Sequence, residues 1–512
     1  MNNQSRTRNT LRNFHVGLGA QVLHYALSFV TRTIFVMLLS VEYLGVNGLF
    51  TNILAVYSLA EAGVASAFVS VLYKPLHERD TEKLTSLMNG FRKAYSLIGV
   101  TVGIIGLMVY PFLDLVIKEN NIENINVIYL MFLIGSVTSY LFKYKIAFLG
   151  ADQKSYITTI YSQIFIIIQY TLQIIILLLT RDFILYLAIQ IACPIIRNIL
   201  LTMKIDRLYP FLKQKGVPLD KETREDLKKK IIAGIFHHFN TVVVVGTDSI
   251  VISAFLGVYW VGLYSNYLLI IGVVSAFTSV AFSSVTASVG NLTASSDLNK
   301  SFTVFQNLQF LNFILVGFSS VCFITLFNPF ITLWIGEKFL LEQYIVILIV
   351  VIFYMGRSGM QRSINIFKTT TGLFYYDRYF ALLEGVINIV ASVYLAQKLG
   401  LVGVFLGTLT GILTVRIWTE VYVVFKYFFE RSVMDYFRKY TLYGIATVVA
   451  STLSHLLVTL IPHSNWLGFF ALAAACAVVT LGVFALLFCK TTEFRFFCEF
   501  FYGRIRKQRQ HA

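Results

Sequence analysis

Arg32 interrupts an otherwise apolar stretch, FVTRTIFVMLLSVEYLGVNGLF, at residues 29–50. At the depth of a hydrocarbon layer a lone guanidinium costs about 2.5–3.5 kcal/mol on insertion scales, so it must face protein or water. Six more cations fall inside apolar runs: Lys143, Lys145, Arg197, Arg357, Arg362 and Arg416. The acidic residues set against them are Glu61, Asp248 and Glu384. Seven cations against three carboxylates describe a positively charged interior. Guanidinium forks suit phosphate oxygens, so the ligand chemistry expected of such an interior is that of an anion.

The spacing in the first run supports an inward-facing charge. Gly17, Gln21, His24, Ser28 and Arg32 recur every three or four residues and so form one polar stripe on a helix. A looser stripe, His237, Thr241 and Asp248, lies in the seventh run, and Arg357 and Gln361 stand one turn apart in the tenth. Each residue also has a plainer reading. Lys143, Lys145, Arg197 and Arg362 read equally as side chains that snorkel to an interface. Arg32 and Asp248 read also as an ion pair joining two lobes. Glu61 and Glu384 read as structural partners of nearby cations, with Glu61 alternatively holding a coupling ion. His15, His24, His237 and His238 read as packed polar groups before proton carriers. Some of the many aromatic residues could stack on sugar rings, but most read as lipid-facing or interfacial.

These residues need elements to hold them, and the composition names the elements. Of 512 residues, 57% are hydrophobic and 13% charged, with a mean hydropathy of +0.72. Soluble domains carry about 25% charged residues, so the chain is expected to be an all-α, multi-pass membrane protein. A span takes about 20 apolar residues. Fourteen such runs occur, at about 14–39, 46–72, 92–117, 127–149, 157–179, 183–203, 231–256, 260–290, 304–327, 342–366, 379–397, 402–428, 440–461 and 467–489. The first run is too long for a signal-peptide core and is expected to stay in the membrane.

Charge sets the expected orientation. Of the 42 Lys and Arg residues, 31 lie in the tails, connections and span edges on one side, and four (Lys118, Arg181, Lys338, Lys398) on the other. The positive-inside rule then places both termini in the cytoplasm. It also accounts for the net charge of +16 without nucleic acid, because no folded extramembrane domain exists to read a groove.

The chain repeats itself weakly. EYLGVNGLF near residue 45 matches YWVGLYSNY near 262, aligning Gly45 with Gly262 at an offset of 217, and Arg197 falls near Arg416 at 219. Six spans per copy give both copies one orientation, a parallel repeat about an axis along the membrane normal. The expected organisation is an N-lobe at 1–203, a basic cytoplasmic linker at 204–230, a C-lobe at 231–439, two extra spans at 440–489 and a basic cytoplasmic tail at 490–512. Two such lobes suit alternating access to a central cavity. No phosphate-binding GxxxxGK[ST] loop, nucleophile–base pattern or metal-ligand spacing occurs, and the five cysteines form no C-x-x-C pair. No enzyme or ATPase is expected.

TRTIFVMLLSVEYLGVNGLF in the first span, TDSIVISAFLG in the seventh and the Gly/Tyr-rich start of the eighth resemble the polysaccharide-biosynthesis (Wzx-type) flippases of the multidrug/oligosaccharidyl-lipid/polysaccharide (MOP) exporter superfamily. The resemblance covers the first twelve spans. It implies a two-lobed helical fold that flips a polyprenyl-diphosphate-linked oligosaccharide to the outer leaflet of a bacterial cytoplasmic membrane, for capsule, O-antigen or exopolysaccharide. Arg32 matches the family's first-span arginine before the Leu44-Gly45 turn, and Asp248 its seventh-span aspartate. The resemblance further implies a monomer with no cofactor beyond a coupling ion, H+ or Na+, working beside a polysaccharide polymerase and glycosyltransferases. Fourteen spans suit lipid II flippases equally. A multidrug exporter of the same fold, expected to carry an acidic cavity, fits these charges less well.

Overall fold

The computed structural model describes residues 3–57, 59–118, 122–214, 217, 221–293 and 297–499. Over 3–18 and 232–245, among others, it describes backbone alone, so His15, Gly17, His237, His238 and Thr241 fall outside the described side chains. Among the described residues the chain is all-α.

A bilayer offers backbone groups no hydrogen-bonding water, so each span must close its own ladder as a helix. The helices are α1 (Asn3–Leu38), α2 (Val41–Tyr57), α3 (Leu59–Glu78), α4 (Thr81–Val109), α5 (Leu113–Val116), α6 (Ile125–Ala151), α7 (Ser155–Thr180), α8 (Phe183–Leu208) and α9 (Lys221–Leu256). They continue as α10 (Val258–Thr293), α11 (Leu298–Trp334), α12 (Gln343–Met355), α13 (Arg362–Thr371), α14 (Phe374–Leu399), α15 (Leu401–Gly411), α16 (Ile417–Val424), α17 (Met434–Leu460) and α18 (Trp466–Phe488). Eleven helical stretches are long and apolar enough to cross a membrane, and three shorter apolar ones (Val41–Val56, Gly246–Leu256, Gln343–Met355) fall on the remaining expected spans. Side-chain caps fix several starts. Asp80, Asp182, Asp297 and Asn465 each accept an amide hydrogen from the first turn that follows.

Two compact units result, Met1–Ser265 and Asn266–Ala512. In the first, α1 packs on α7, α6 on α4 and α8, and α9 on α2 and α3. The basic connection after α8 is largely structured: a short 3-10 turn at Pro210–Lys213 precedes α9, which begins at Lys221.

In the second unit α17 and α18 pack on α11, and α14 lies along α15. The last pairing rests on the spacing Gly403, Gly407, Gly411, one small residue per turn. A β-carbon at 403 or 407 would stand 2.1 Å from the Leu395 carbonyl oxygen or 2.3 Å from the Ser392 nitrogen. Small residues at this spacing let two backbones touch inside a membrane.

Two expected spans are less regular than their apolarity suggests. The run 342–366 is not one helix: it unwinds between Met355 and Arg362. The run 402–428 contains π-helical segments at Ile412–Arg416 and Phe425–Phe429. Irregular backbone at this depth survives only where protein satisfies it. Asn312 Nδ2 donates to the Gly359 carbonyl at 2.9 Å, and the Met360 amide donates to the Tyr354 carbonyl at 2.7 Å.

Candidate functional site

In the first unit the polar stripe of α1 faces α7, as its spacing predicts: the His24 ring lies 6.1 Å from that of Tyr170. His24 is partly buried, and its Nδ1 has no hydrogen-bond partner among the described residues. Just over two turns further on, Arg32 Nη1 donates to Ser265 Oγ at 2.9 Å, and that hydroxyl donates to the Gly262 carbonyl at 2.8 Å. Arg32 thus bonds Ser265 and not Asp248. Asp248 is buried on α9, 6% exposed, next to Ser249, whose hydroxyl accepts from Asn52 Nδ2 at 2.8 Å.

The repeat is visible as contact geometry here. A β-carbon on Gly45 would stand 1.8 Å from the Val258 carbonyl oxygen, and one on Gly262 would stand 2.4 Å from the Val41 carbonyl oxygen. Val41 and Val258 are separated by the same 217 residues as the two glycines. The two glycines thus meet reciprocally, each pressed against the backbone of the other's helix. Arg32 is held through Ser265 at this crossing. Its counterpart at the same offset is Ser249, so one copy of the position carries a charge and the other a hydroxyl.

The remaining cations of this unit divide into two kinds. Lys143 bonds Glu61 at 2.6 Å and Lys145 bonds Asp206 at 2.6 Å. Arg197 has no carboxylate among the described residues. Its Nε and Nη2 both donate to Asn198 Oδ1, at 3.1 and 3.0 Å. Because α8 continues eleven residues beyond Arg197, about 16 Å of helix, the side chain lies near the middle of its helix and not at its end. Beyond the spans, Lys154, Asp152 and Tyr209 tie the ends of α6, α7 and α8 together. Burial pulls the Lys154 ammonium down, but its hydrogen bonds to Asp152 and Tyr209 outweigh that and raise it. Burial, reinforced by Asp152, pushes the Tyr209 hydroxyl up to about 12.

The second unit holds a balanced ionic core. Arg357 Nε and Nη2 both reach Glu420 Oε1, at 2.9 and 2.8 Å. Lys368 Nζ lies 3.3 Å from the same oxygen and also bonds Asp377. Arg416, which ends the first π-helical segment, pairs with Glu384 on α14. Five of these six residues are no more than 6% exposed. Among the described residues three cations therefore meet three carboxylates, and their formal charges balance.

Arg362 stands apart from that core. It is 9% exposed and opens α13 just past the unwound turn. Nη1 donates to Ser279 Oγ at 3.0 Å and Nη2 to the Ser358 carbonyl at 2.9 Å, while Phe282 lies under the guanidinium at 5.5 Å. No carboxylate among the described residues bonds it. Gln361, beside it, is fully buried with both amide atoms unpartnered among those residues.

The fold has known counterparts. Lipid II flippase MurJ in an inward closed conformation matches with a TM-score of 0.62 at 16% identity, covering 92% of this chain and 98% of that one. An inward-facing multidrug resistance MATE family transporter of the MOP superfamily matches with a TM-score of 0.59 at 15% identity, covering 81% and 98%. The eukaryotic MATE transporter AtDTX14 gives 0.56 at 12% identity, covering 85% and 98%. At such identities the likeness is one of fold. No family model matches the chain, and no curated protein matches it in sequence.

The sequence reading missed half of the ionic core. Glu420 lies inside the twelfth run, four residues after Arg416 in RIWTE, and was readable as a fourth intramembrane acid. The excess of cations is smaller by that residue. Lys368 and Asp377 read as loop residues between two spans. They are buried because α13 and α14 join through a tight turn at Gly372, φ +71°, which folds both side chains back onto α16.

Proposed function

We propose that this protein flips a polyprenyl-diphosphate-linked oligosaccharide from the cytoplasmic to the outer leaflet of a bacterial cytoplasmic membrane by alternating access, as a step in surface-polysaccharide assembly. The observation that carries this reading is the set Arg32, Arg197 and Arg362. Arg32 and Arg197 sit on long apolar helices and Arg362 opens α13 just past the unwound turn; each guanidinium is held on neutral oxygens, with no carboxylate among the described residues. A guanidinium that needed only neutralising would be paired, as Arg357 and Arg416 are. Held on neutral acceptors, it keeps its charge for a ligand. A diphosphate brings about two negative charges, and arginine forks offset the cost of taking them out of water.

In this reading both termini are cytoplasmic and a coupling ion, H+ or Na+, drives the cycle. Glu61 and Glu384 are engaged by Lys143 and Arg416, and Asp248, buried on α9, is the third carboxylate to test for coupling. A second reading, lipid II as the substrate, is favoured by one observation: the MurJ likeness covers 92% of the chain against 81% for the MATE transporter. Both substrates are diphosphates on a polyprenyl chain and share the charge argument.

Complementation separates them. The wild-type chain is expected to restore surface polysaccharide to a flippase-deficient strain. Arg32→Ala, equally abundant in the membrane by blot, is expected to lose at least ten-fold in surface polymer. Rescue of a strain lacking its lipid II flippase in place of this one transfers the reading to lipid II, and an active Arg32→Ala sinks the arginine argument.

A further inference from the structure

A groove of about 320 Å³ opens on the second unit between the start of α14, α16 and the start of α17. Its walls are aromatic: Tyr376, Phe380, Trp418, Tyr422, Tyr427 and Phe437. Tyr376 and Tyr427 stack with centroids 4.2 Å apart, and Trp418 lies 4.6 Å from Phe437. The first five of these six are between 44% and 55% exposed, which is unusual for side chains that could pack on one another fully.

Two features identify the medium and the occupant. Deeper along their length the helices flanking the groove expose mostly apolar side chains, Leu383, Val386 and Val390 on α14 and Leu442, Ile445 and Val448 on α17, and the exposed Thr452 turns its hydroxyl back to the Val448 carbonyl. That is a hydrocarbon-facing surface, not the wall of a watery cavity. At the mouth, where α14 and α17 begin and the second π-helical segment ends, stands Lys426. Its Nζ donates to the Tyr422 hydroxyl at 2.6 Å and lies 5.0 and 5.5 Å from the Tyr422 and Tyr427 ring centres. No carboxylate among the described residues bonds it. Arg438, exposed and also without a described partner, follows Phe437 at the same end. The groove is therefore amphipathic along its axis: cation and phenol hydroxyls at the mouth, Phe380 and Trp418 further in. Tyrosine, tryptophan and lysine are the side chains that meet the headgroup level of a bilayer.

We infer that this groove is a binding site for an anionic phospholipid. Its phosphate sits against Lys426 and the Tyr422 hydroxyl, and one acyl chain lies along Phe380 and Trp418. This site is independent of the substrate proposed above, because none of Arg32, Arg197 or Arg362 lines the groove.

Trp418 supplies the readout. The full-length protein is reconstituted in phosphatidylcholine vesicles containing either dibrominated phosphatidylglycerol or dibrominated phosphatidylcholine. The Trp418 contribution is isolated by subtracting the same titration on Trp418→Phe. One headgroup-level lysine is worth about 1 kcal/mol toward an anionic lipid, or about five-fold in association. Phosphatidylglycerol is expected to quench Trp418 about five-fold more effectively per mole than phosphatidylcholine. Lys426→Gln is expected to bring the two to parity, and Lys426→Arg, which preserves charge, to keep the preference. Equal quenching by the two lipids in the wild type overturns the site. So does a preference that survives Lys426→Gln, or displacement of phosphatidylglycerol by an uncharged polyprenol.

Discussion

Apart from the Lys143–Glu61 and Lys145–Asp206 pairs of the first unit and Arg362 of the second, the two units hold intramembrane charge in opposite ways. In the second, Arg357, Lys368 and Arg416 are locked to Glu420, Asp377 and Glu384, a balanced set among the described residues. In the first, Arg32 and Arg197 rest on a serine hydroxyl and an asparagine amide oxygen. A neutral cluster costs little to keep and is badly hurt by losing one member, because the partner is left charged and buried. A guanidinium on neutral acceptors has the reverse profile. Removing it spares the fold and takes away only what the charge was for.

The comparison breaks most visibly at Glu420. Glu420→Gln leaves two cations short of their shared oxygen and is expected to destabilise the protein by about 3–5 kcal/mol, whereas Arg32→Gln is expected to cost under about 1 kcal/mol. Thermal unfolding of both purified variants in one detergent measures the difference. Equal losses would erase the distinction between the units. Converting Glu384 and Arg416 together to Leu and Met is expected to cost less than either single change, since a pair removed whole leaves no stranded charge.

A smaller effect sharpens the repeat relation within the first unit. Gly45 and Gly262 occupy reciprocal contacts, and a methyl on either overlaps a carbonyl oxygen of the facing helix. Gly45→Ala and Gly262→Ala are each expected to cost about 1–3 kcal/mol through overpacking. Because they press on one crossing, the double variant should lose less than the sum, as chemical denaturation in mixed micelles would report. Strict additivity would mean that the two contacts are independent.

What the sequence disclosed follows from which forces act locally. Span positions were legible because a bilayer imposes about 20 apolar residues on each crossing regardless of neighbours. The stripe of α1 was legible because helix periodicity places Gln21, His24, Ser28 and Arg32 on one face. The glycine pair was legible as a fixed offset, though its reciprocal contact was not. The break between Met355 and Arg362 was hidden because its compensation is distant: Asn312, some 47 residues earlier, satisfies the freed Gly359 carbonyl. Lys368 and Asp377 were hidden for the same kind of reason, since a polar connection looks alike whether it stays in solvent or folds back onto a buried glutamate. The charges that carry the proposed function were read by type and depth, but which of them are already neutralised is a tertiary fact.

The finest test concerns a pair beyond the last span, where charge is again locked but solvent is near. Lys439, in the first turns of α17, bonds Glu493, which follows α18 and whose side chain is 8% exposed. Burial pushes the Glu493 carboxyl up. The hydrogen bond from Lys439 leads the opposing effects, with the Glu493 amide, the Lys439 charge and Thr492 adding to it, so the carboxyl lies below its ordinary value. A carboxyl depressed in the folded state adds stability in full above its unfolded pKa, about 4.3. That stability fades as pH falls through the lower folded value. Wild type should therefore exceed Glu493→Gln by about 1 kcal/mol at pH 7, and the gap should close in acid and stay flat between pH 6 and 8. Unfolding midpoints of the two proteins across pH 3–8 measure it. A gap that persists at pH 3 would assign the stabilisation to packing at the α17–α18 end and not to the ion pair. The Lys439–Glu493 contact would then not count among the locked charges typified by the buried cluster around Glu420.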